Sequence, residues 1–350
     1  MHPLARKELK SLQPLALHVP PKGIAPHSIR LDLTELSIQT PYSFYPKSPN
    51  EKILGLYSSY LKAQSGVEVF TPYLFLTPGS DFALDLLLRS FTRAKDSIGF
   101  LNPGFWFYER LAKLNGVNAV PLELAGCDLN RLDVSKIPNH LKMIFIDRPN
   151  NPLGTILHLD DLKRLCLRFS GIIVVDEAYF EFSDKESALR LLHFFPNLVI
   201  TRSFSKSWGL AGLRAGVIIA DPSVIRAVTL LCPPFPVSQI VQDYLIRRLK
   251  KIEPVLKLRE KIRSLRNAVS QELQEHGVKV YPSEGNTVLF ETSDSSGFYR
   301  EMLRRGYIVK EIGPSLSNAV RITLTETTEL KSLIQAIREI LTKGKKNVGT

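Results

Sequence analysis

Residues 172–178 read IIVVDEA, in which four apolar side chains are followed by two acidic ones. An apolar run without polar alternation indicates a strand that is buried on both faces, as in a parallel sheet covered by helices. Helical stretches such as 159–169 separate most of the similar strands, which are predicted at 97–102, 118–124, 143–149, 198–204 and 215–221. This alternation predicts an α/β fold with a mostly parallel sheet sandwiched between helices.

On either side of this region the chain is predicted to form an N-terminal arm and a smaller C-terminal domain. Residues 1–48 are rich in proline and weakly periodic, which indicates an arm that lies over another part of the protein. Residues 49–240 carry the alternating strands and helices, and residues 241–350 are predicted to form a small α+β domain. The helical stretch that leads into this domain contains Pro254, where we expect a kink or a break.

The composition argues against several classes of protein. The 350 residues are 44% hydrophobic and 23% charged, which is typical of a soluble globular protein, and no apolar run is long enough for a membrane helix. The first residues lack the pattern of a signal peptide. Three scattered cysteines, Cys127, Cys166 and Cys232, argue against a disulfide framework and a zinc site and favour a cytoplasmic location.

The formal net charge of +12 raises nucleic acid as a partner. Much of the excess lies between residues 247 and 266 and in the tail that begins at Lys343. No zinc-finger spacing or aromatic RNA-binding motif accompanies these residues, so a solvated helix face with a basic tail is the favoured interpretation. Attraction of a phosphorylated metabolite is the next interpretation, and we expect neither nucleic acid nor a membrane as a partner.

Polar motifs follow the ends of several predicted strands, at 77–81, 150–152, 176–179 and 203–206. Ligands on a parallel sheet bind beyond the carboxyl ends of the strands, so these motifs predict a common site. Lys206 lies among small residues, and Arg214 follows eight positions later. Small residues let the backbone close on a phosphate, which a guanidinium neutralises. The glycines of GLAGLRAG do not have the spacing of a dinucleotide-binding loop.

Taken together, the motifs resemble those of the fold-type I pyridoxal-phosphate aminotransferases of class I and II. Within that group the chain most resembles the histidinol-phosphate aminotransferases, as DEAYFEF at 176–182 and GLAGLRAG at 209–216 indicate. The resemblance extends from about Tyr45 to the last predicted helix, and the joint spacing of the motifs makes it specific. The segments that carry it are RPNNPLGT at 148–155, VVDEAYFEF at 174–182, SFSKSWGLAGLRAG at 203–216 and AVRITLT at 319–325.

The resemblance implies pyridoxal 5'-phosphate as the cofactor and Lys206 as the residue that bonds to it covalently and then carries protons. Asp176 is implied to face the ring nitrogen and keep it protonated, so that the ring can accept charge. A strand-end aspartate can also cap the helix that follows it. Tyr179 and Asn151 are implied as hydrogen-bond partners of the phenolic oxygen, although Asn151-Pro152 is also a turn sequence.

The phosphate of the cofactor is implied to bind at the start of a helix. Free backbone N–H groups and the helix dipole favour an anion there. The hydroxyls and the guanidinium that complete the phosphate site lie downstream in the chain. The residues implied to form the site are Gly79, Ser80, Asp81, Ser203, Ser205 and Arg214.

Two aromatic residues have implied contacts with the cofactor. Phe105 lies where the family has a ring stacked on the pyridine, and a core phenylalanine is the alternative interpretation. Tyr45 matches a tyrosine that reaches the phosphate in the neighbouring subunit. The resemblance therefore implies a homodimer with shared sites.

The substrate is implied to be held by Arg321, which grips a carboxylate or a phosphate, and by Asn286 nearby. The resemblance implies amino transfer from histidinol phosphate, or a similar amino donor, to the 2-oxo acid 2-oxoglutarate. Segment 32–46 departs from the usual Asn-Glu-Asn-Pro-Tyr signature, and this departure leaves the identity of the donor open.

Three alternatives to this function remain. NPGF at 102–105 is similar to threonine-phosphate decarboxylase, a relative with the same cofactor. An aminotransferase for aromatic or other amino acids is the second alternative. The third is a basic binding module that keeps the fold without catalysis.

Overall fold

The computed structural model describes residues 1–12, 40, 42–46, 50–313, 316 and 318–346. Most of the predicted N-terminal arm, residues 13–39, 41 and 47–48, lies outside the described residues, as does the end of the basic tail. Residues 1–12 include a short 3-10 helix, Lys7–Ser11. They pack against the large sheet's helical layer, because Ala5 and Leu9 are buried and the Arg6 N–H donates to the Ser90 carbonyl over 3.0 Å.

The larger of two sheets has eight strands. They are β1 (Leu74–Thr77), β2 (Ser97–Asn102), β3 (Asn118–Ala125), β4 (Arg131–Leu132), β5 (Met143–Asp147), β6 (Ile172–Asp176), β7 (Leu198–Ser203) and β8 (Gly216–Ala220). Their order is β1-β8-β7-β6-β5-β2-β3-β4. The pairs from β3 through β2, β5 and β6 to β7 are parallel, whereas β8 is antiparallel to β7 and β1, and β4 to β3. The predicted mostly parallel sheet is confirmed.

Helices cover both faces of this sheet. Alternate residues of β6 belong to different apolar clusters: Ile173 and Val175 to one, Ile172 and Val174 to the other. This two-sided burial explains why the strand has no polar alternation. The first cluster includes α1 and α4, and the second includes α2, α3 and α5. The bounds are α1 (Glu51–Ser65), α2 (Ser80–Phe91), α3 (Phe107–Leu114), α4 (Leu159–Arg168) and α5 (Pro222–Leu231).

A break divides the long helical stretch that leads to the smaller sheet. It forms α6 (Gln239–Lys250) and α7 (Glu253–Glu275), and Pro254 lies in the first turn of α7. Proline is tolerated in the first turn of a helix because a backbone N–H at that position would have no acceptor within the helix, so its absence removes no helical hydrogen bond. The predicted break at Pro254 is therefore confirmed.

The smaller sheet has four antiparallel strands in the order β11-β12-β10-β9. The strands are β9 (Val280–Tyr281), β10 (Thr287–Glu291), β11 (Lys310–Glu311) and β12 (Ala319–Thr323). Helices α7, α8 (Ser295–Arg304) and α9 (Leu330–Lys346) contribute to the apolar cluster on this sheet. The α+β character of this region is confirmed, whereas the domain boundaries at residues 48 and 240 stay predictions. None of the helices in the described part of the chain is both long and apolar enough to span a bilayer.

Candidate active site

Four strands of the large sheet end at the same edge. β5, β6 and β7 run parallel, and β1 shares their direction because β1 and β7 are both antiparallel to β8. Each predicted polar motif follows one of these strand ends. The folded sheet therefore collects the motifs at one edge, as the sequence predicts.

Asp176 is the last residue of β6 and is 6% exposed. One carboxylate oxygen accepts from the Thr201 hydroxyl at 3.0 Å and from the Ala178 N–H at 3.2 Å. The Tyr108 hydroxyl donates to the other oxygen over 3.4 Å. Burial raises the pKa of Asp176 to about 6, and the negative charge of Asp81 contributes to the rise. A cation placed against this carboxylate would oppose that shift.

Lys206 lies just beyond β7 and its side chain is exposed. Its amine nitrogen is 5.1 Å from the centre of the Tyr179 ring, a distance at which the ring face attracts a cation. The two residues after it are anchored, because the Ser207 hydroxyl and the Trp208 indole N–H both donate to Glu181. The loop thus holds the backbone of Lys206 in place and leaves its amine accessible.

The start of α2 forms an anion-binding cradle. Gly79 precedes the helix with φ +92°, and a Cβ on Gly216 would lie 2.7 Å from the Gly79 carbonyl carbon and from the Ser80 nitrogen. Only glycine allows β8 to approach the helix start this closely. The free N–H groups of α2 and its dipole favour a negative charge at this position.

Arg214 lies beside the same helix start, with φ +48°. Its guanidinium is 3.4 Å from the Ser205 hydroxyl and 3.4 Å from an Asp81 carboxylate oxygen. The Ser203 hydroxyl accepts from the Ser205 N–H at 3.1 Å. The structure thereby brings together all the residues that the sequence predicts around a phosphate, namely Gly79, Ser80, Asp81, Ser203, Ser205 and Arg214.

Asn151 and Arg321 meet at the opening between the two sheets. The Arg321 guanidinium donates to the Asn151 side-chain oxygen over 2.5 Å, and both line a small cavity together with Tyr179. The Arg321 Nε and the Asn286 side-chain oxygen are buried and have no hydrogen-bond partner among the described residues. Both atoms are therefore available as hydrogen-bonding groups for a ligand that binds beside them.

The sequence also predicts cofactor contacts for two aromatic residues, Phe105 and Tyr45. Phe105 is partly buried, and its ring meets the Tyr108 ring edge-on at 5.5 Å. Tyr45 is 56% exposed and stacks on Phe235 with ring centres 4.7 Å apart. Its contact with a neighbouring subunit stays a prediction.

Asp147 and Tyr108 were not predicted from the sequence. Asp147 ends β5, opposite Asp176 in the strand register, and a charged residue at the end of an apolar run, three positions before Asn150, was the available signal. Tyr108 stacks on Phe145 within the second apolar cluster, so its position on α3 resembles that of a core residue. Nothing in the local pattern distinguishes it as a partner of Asp176.

Comparison with known proteins identifies the family. The family profile "Aminotransferase class I and II" matches residues 19–337. The chain belongs to the class I and II aminotransferases. Histidinol-phosphate aminotransferase of Cytophaga hutchinsonii is 33% identical to it over 77% of this chain and 80% of the relative. That of Flavobacterium johnsoniae is 30% identical over 89% of each chain.

Solved aminotransferases have the same fold. The histidinol-phosphate aminotransferase of Sinorhizobium meliloti, solved in complex with pyridoxal-5'-phosphate, superposes with a TM-score of 0.75. It is 20% identical and covers 86% of this chain and 84% of its own. The similarity confirms the fold predicted from the sequence.

Class I and II aminotransferases depend on pyridoxal phosphate, and the residues at the strand edge of this aminotransferase fit that cofactor. A buried carboxylate is available for a protonated ring nitrogen, an accessible amine follows β7, and an anion cradle is built at the start of α2. The enzyme is a pyridoxal-phosphate-dependent transaminase, which moves an amino group from an amino donor to a 2-oxo acid.

Proposed function

We propose that this transaminase takes its amino group from histidinol phosphate, or a similar phosphorylated amino donor, and passes it to 2-oxoglutarate. The observation that carries the proposal is Arg321. Its guanidinium donates to Asn151, and its buried Nε has no partner within the described part of the chain. Arg214, in contrast, lies at the cradle of α2. A second arginine suits a second anion, and arginine binds phosphate or carboxylate in a bidentate manner. Relatives of this chain that bear the name histidinol-phosphate aminotransferase support the choice of donor.

The catalytic roles follow from where the charged groups lie. Pyridoxal phosphate, when bound, supplies an electron sink that stabilises negative charge on the carbon next to the amino group. Asp176 holds the proton on the ring nitrogen, because a buried carboxylate is stabilised by a facing cation. Lys206 would be the residue that holds the cofactor covalently, and its accessible Nζ would carry the proton of the donor's α carbon. Tyr179, against Lys206, and Asn151 donate hydrogen bonds to the phenolic oxygen.

Binding roles complete the site. Gly79, Ser80 and Asp81 at the start of α2 would hold the phosphate of the cofactor, together with Arg214 and the hydroxyls of Ser203 and Ser205. Phe105 would stack on the ring of the cofactor. Arg321 and Asn286 hold the donor.

We also propose that two copies of the chain form a homodimer in the cytoplasm. Tyr45 is 56% exposed, and in this arrangement its hydroxyl would reach the cofactor phosphate of the partner copy. The exposed aromatic surface around Tyr45, which includes Tyr42 and Phe44, supports burial against a second copy.

The test is absorbance and half-reaction analysis of the purified protein. With pyridoxal phosphate, the wild type is expected to show the visible band of the lysine-bound cofactor, and Lys206→Ala is expected to abolish it. Histidinol phosphate with 2-oxoglutarate should yield glutamate. Absence of the visible band in the wild type would refute the cofactor site.

A panel of donors separates the remaining alternatives. Release of carbon dioxide from threonine phosphate, without glutamate formation, would assign the chain to the decarboxylases instead. Preferential turnover of aromatic amino acids over histidinol phosphate would refute the phosphorylated donor and leave the transaminase assignment intact.

A further inference from the structure

Asp147 has a buried carboxylate that lies next to the site and has no role in the proposed mechanism. It is 3% exposed, ends β5, and lies opposite Asp176 in the parallel register, so both side chains project from the same face of the sheet. One oxygen accepts from the Asn151 N–H at 2.8 Å and from the Phe105 N–H at 3.1 Å. The other oxygen accepts from the Asn150 amide at 3.1 Å.

These hydrogen bonds join two loops that are far apart in the sequence. Phe105 follows β2, whereas Asn151 follows β5, and 42 positions separate Phe105 from Asp147. The Asn150 amide strengthens the junction, because it also donates to the Pro103 carbonyl over 2.9 Å. Its side-chain oxygen accepts from the Leu153 N–H at 3.1 Å, so the orientation of the amide group is determined.

A turn-capping role accounts for only part of this arrangement. An aspartate that ends a strand commonly accepts from backbone N–H groups a few residues on, and the bond from Asn151 is of that kind. The bond from Phe105 is not local and contributes nothing to the turn. Its consequence is to set the distance between the Phe105 loop and the Asn151 turn.

We propose that Asp147 is a positioning residue for cofactor binding, which fixes the Phe105 loop and the Asn151 turn relative to each other, so that the Phe105 ring and the Asn151 side chain would both reach their proposed contacts with the cofactor. The inference rests on the proposed roles of Phe105 and Asn151. Each of these three hydrogen bonds is accepted by a carboxylate oxygen of Asp147. Asparagine has the same shape but must turn an NH₂ group toward one of these donors.

Asp147→Asn tests the proposal through the dissociation constant of pyridoxal phosphate, measured from the visible band. We expect the constant to rise about ten-fold or more, because a donor that has lost its acceptor turns away and moves the Phe105 loop or the Asn151 turn from its contact with the cofactor. Asp161→Asn is the matched control. Asp161 is also buried and accepts from a backbone N–H, that of Leu132, but it lies on α4 and pairs with Arg131. Both variants should lower the melting temperature of the cofactor-free protein, and only Asp147→Asn should weaken cofactor binding.

A double-variant cycle separates positioning from a general loss of packing. If Asp147 acts through Asn151, Asp147→Asn weakens binding less in an Asn151→Ala background than in the wild type. Asp147→Ser, which introduces no steric overlap, serves if the asparagine variant does not fold, with the same expected rise. Wild-type affinity in the folded variant, or an equal rise in Asp161→Asn, would overturn the positioning role alone. Failure of the wild type to bind pyridoxal phosphate would overturn the proposed function together with it.

Discussion

The most informative single residue for the chemistry is Asp176, since its carboxylate is buried among neutral donors. The groups that contact it are the hydroxyls of Thr201 and Tyr108 and the N–H of Ala178. Burial raises its pKa from 3.8 to about 6. In the folded protein without cofactor, the proton is therefore held more tightly than in the unfolded chain. The protonated Asp176 therefore contributes stability that is fully present below 3.8, its pKa in the unfolded chain. That contribution is lost as the pH rises through about 6, its pKa in the folded protein.

Asp176→Asn should therefore stabilise the cofactor-free protein at alkaline pH. At about pH 8 we expect its free energy of unfolding to exceed that of the wild type by about 1–3 kcal/mol, since one pKa unit corresponds to about 1.4 kcal/mol. The difference in the free energy of unfolding should disappear near pH 4, because the folded wild type then has a protonated, neutral Asp176, as neutral as the amide of the variant. Urea unfolding at the two pH values measures this.

The same variant should lose turnover, because an amide cannot hold the ring nitrogen protonated as a carboxylate does. Equal stability of variant and wild type at the higher pH would show that the buried charge of Asp176 is not destabilising. Unchanged turnover would refute its role at the ring nitrogen.

At the scale of elements, the contact between β8 and the start of α2 builds the anion cradle. Gly216 on β8 lies against the Gly79-Ser80 peptide bond, and Arg214 just before β8 brings its guanidinium to Asp81 in the first turn of α2. The antiparallel direction of β8 makes this possible, because its first residue lies beside the last residue of β1, which leads into the helix. The direction of β8, the absence of a side chain at Gly216 and the guanidinium of Arg214 thus together form the anion cradle.

Gly216→Ala should disturb that contact. The added Cβ would meet backbone atoms of Gly79 and Ser80 at 2.7 Å, so the strand and the helix start must separate. We expect the free energy of unfolding to fall by about 1–3 kcal/mol, as for other overpacked sites. The affinity for pyridoxal phosphate should fall more than that for pyridoxal, which lacks the phosphate.

Gly212→Ala is the control for this substitution. A Cβ on Gly212 meets no atom within 4 Å, and its φ is not in the positive region. Its stability and cofactor affinity should equal those of the wild type. An equal loss of affinity for both ligands in Gly216→Ala would contradict a phosphate cradle at this contact.

At the scale of the whole molecule, a buried polar cluster around Glu181 joins α1, the Lys206 loop and α7. Glu181 accepts from the Tyr60 hydroxyl and the Trp208 indole, each at 3.1 Å, and from the Ser207 hydroxyl. Arg259 on α7 donates to the Tyr60 hydroxyl over 3.0 Å and lies 3.8 Å from the Glu181 carboxylate. A cavity of about 460 Å³ borders the cluster. The helix that leads to the smaller sheet is therefore tied to the loop that bears Lys206.

Glu181→Gln should destabilise the protein strongly. Removal of the negative charge leaves Arg202 and Arg259 buried with less compensation, and breaking a buried ion pair costs about 3–5 kcal/mol. Glu260→Gln is the control, because the Glu260 side chain is 69% exposed and pairs with Arg263 on the same helix. Its effect should lie within about 1 kcal/mol, as for other surface ion pairs. Urea unfolding compares the two, and equal effects would refute a stabilising role of the buried cluster.

Much of the site could be predicted because its residues lie in short motifs at strand ends. Apolar runs in the sequence predict the buried strands that end at or shortly before Asn151, Asp176 and Lys206. Parallel strands end at one edge of a sheet, so these residues are expected to lie together. The acceptor roles of Asp147 and Glu181 could not be predicted in this way. Their partners, such as Phe105 and Arg259, are distant in the sequence, and nothing in the local pattern encodes the contact.

The sequence by itself determined the alternation of strands and helices, the break at Pro254 and the residues at the strand ends. Each of these depends on local properties: apolar runs that need burial on two faces, and a proline without an N–H. Only the tertiary structure decided the direction of β8, the contact of Tyr108 with Asp176, and the hydrogen bonds that join the Phe105 loop to the Asn151 turn. The physical reason is that a buried polar group takes whichever donor or acceptor the packing brings within reach, and that partner is set by strand order and not by neighbours in the chain.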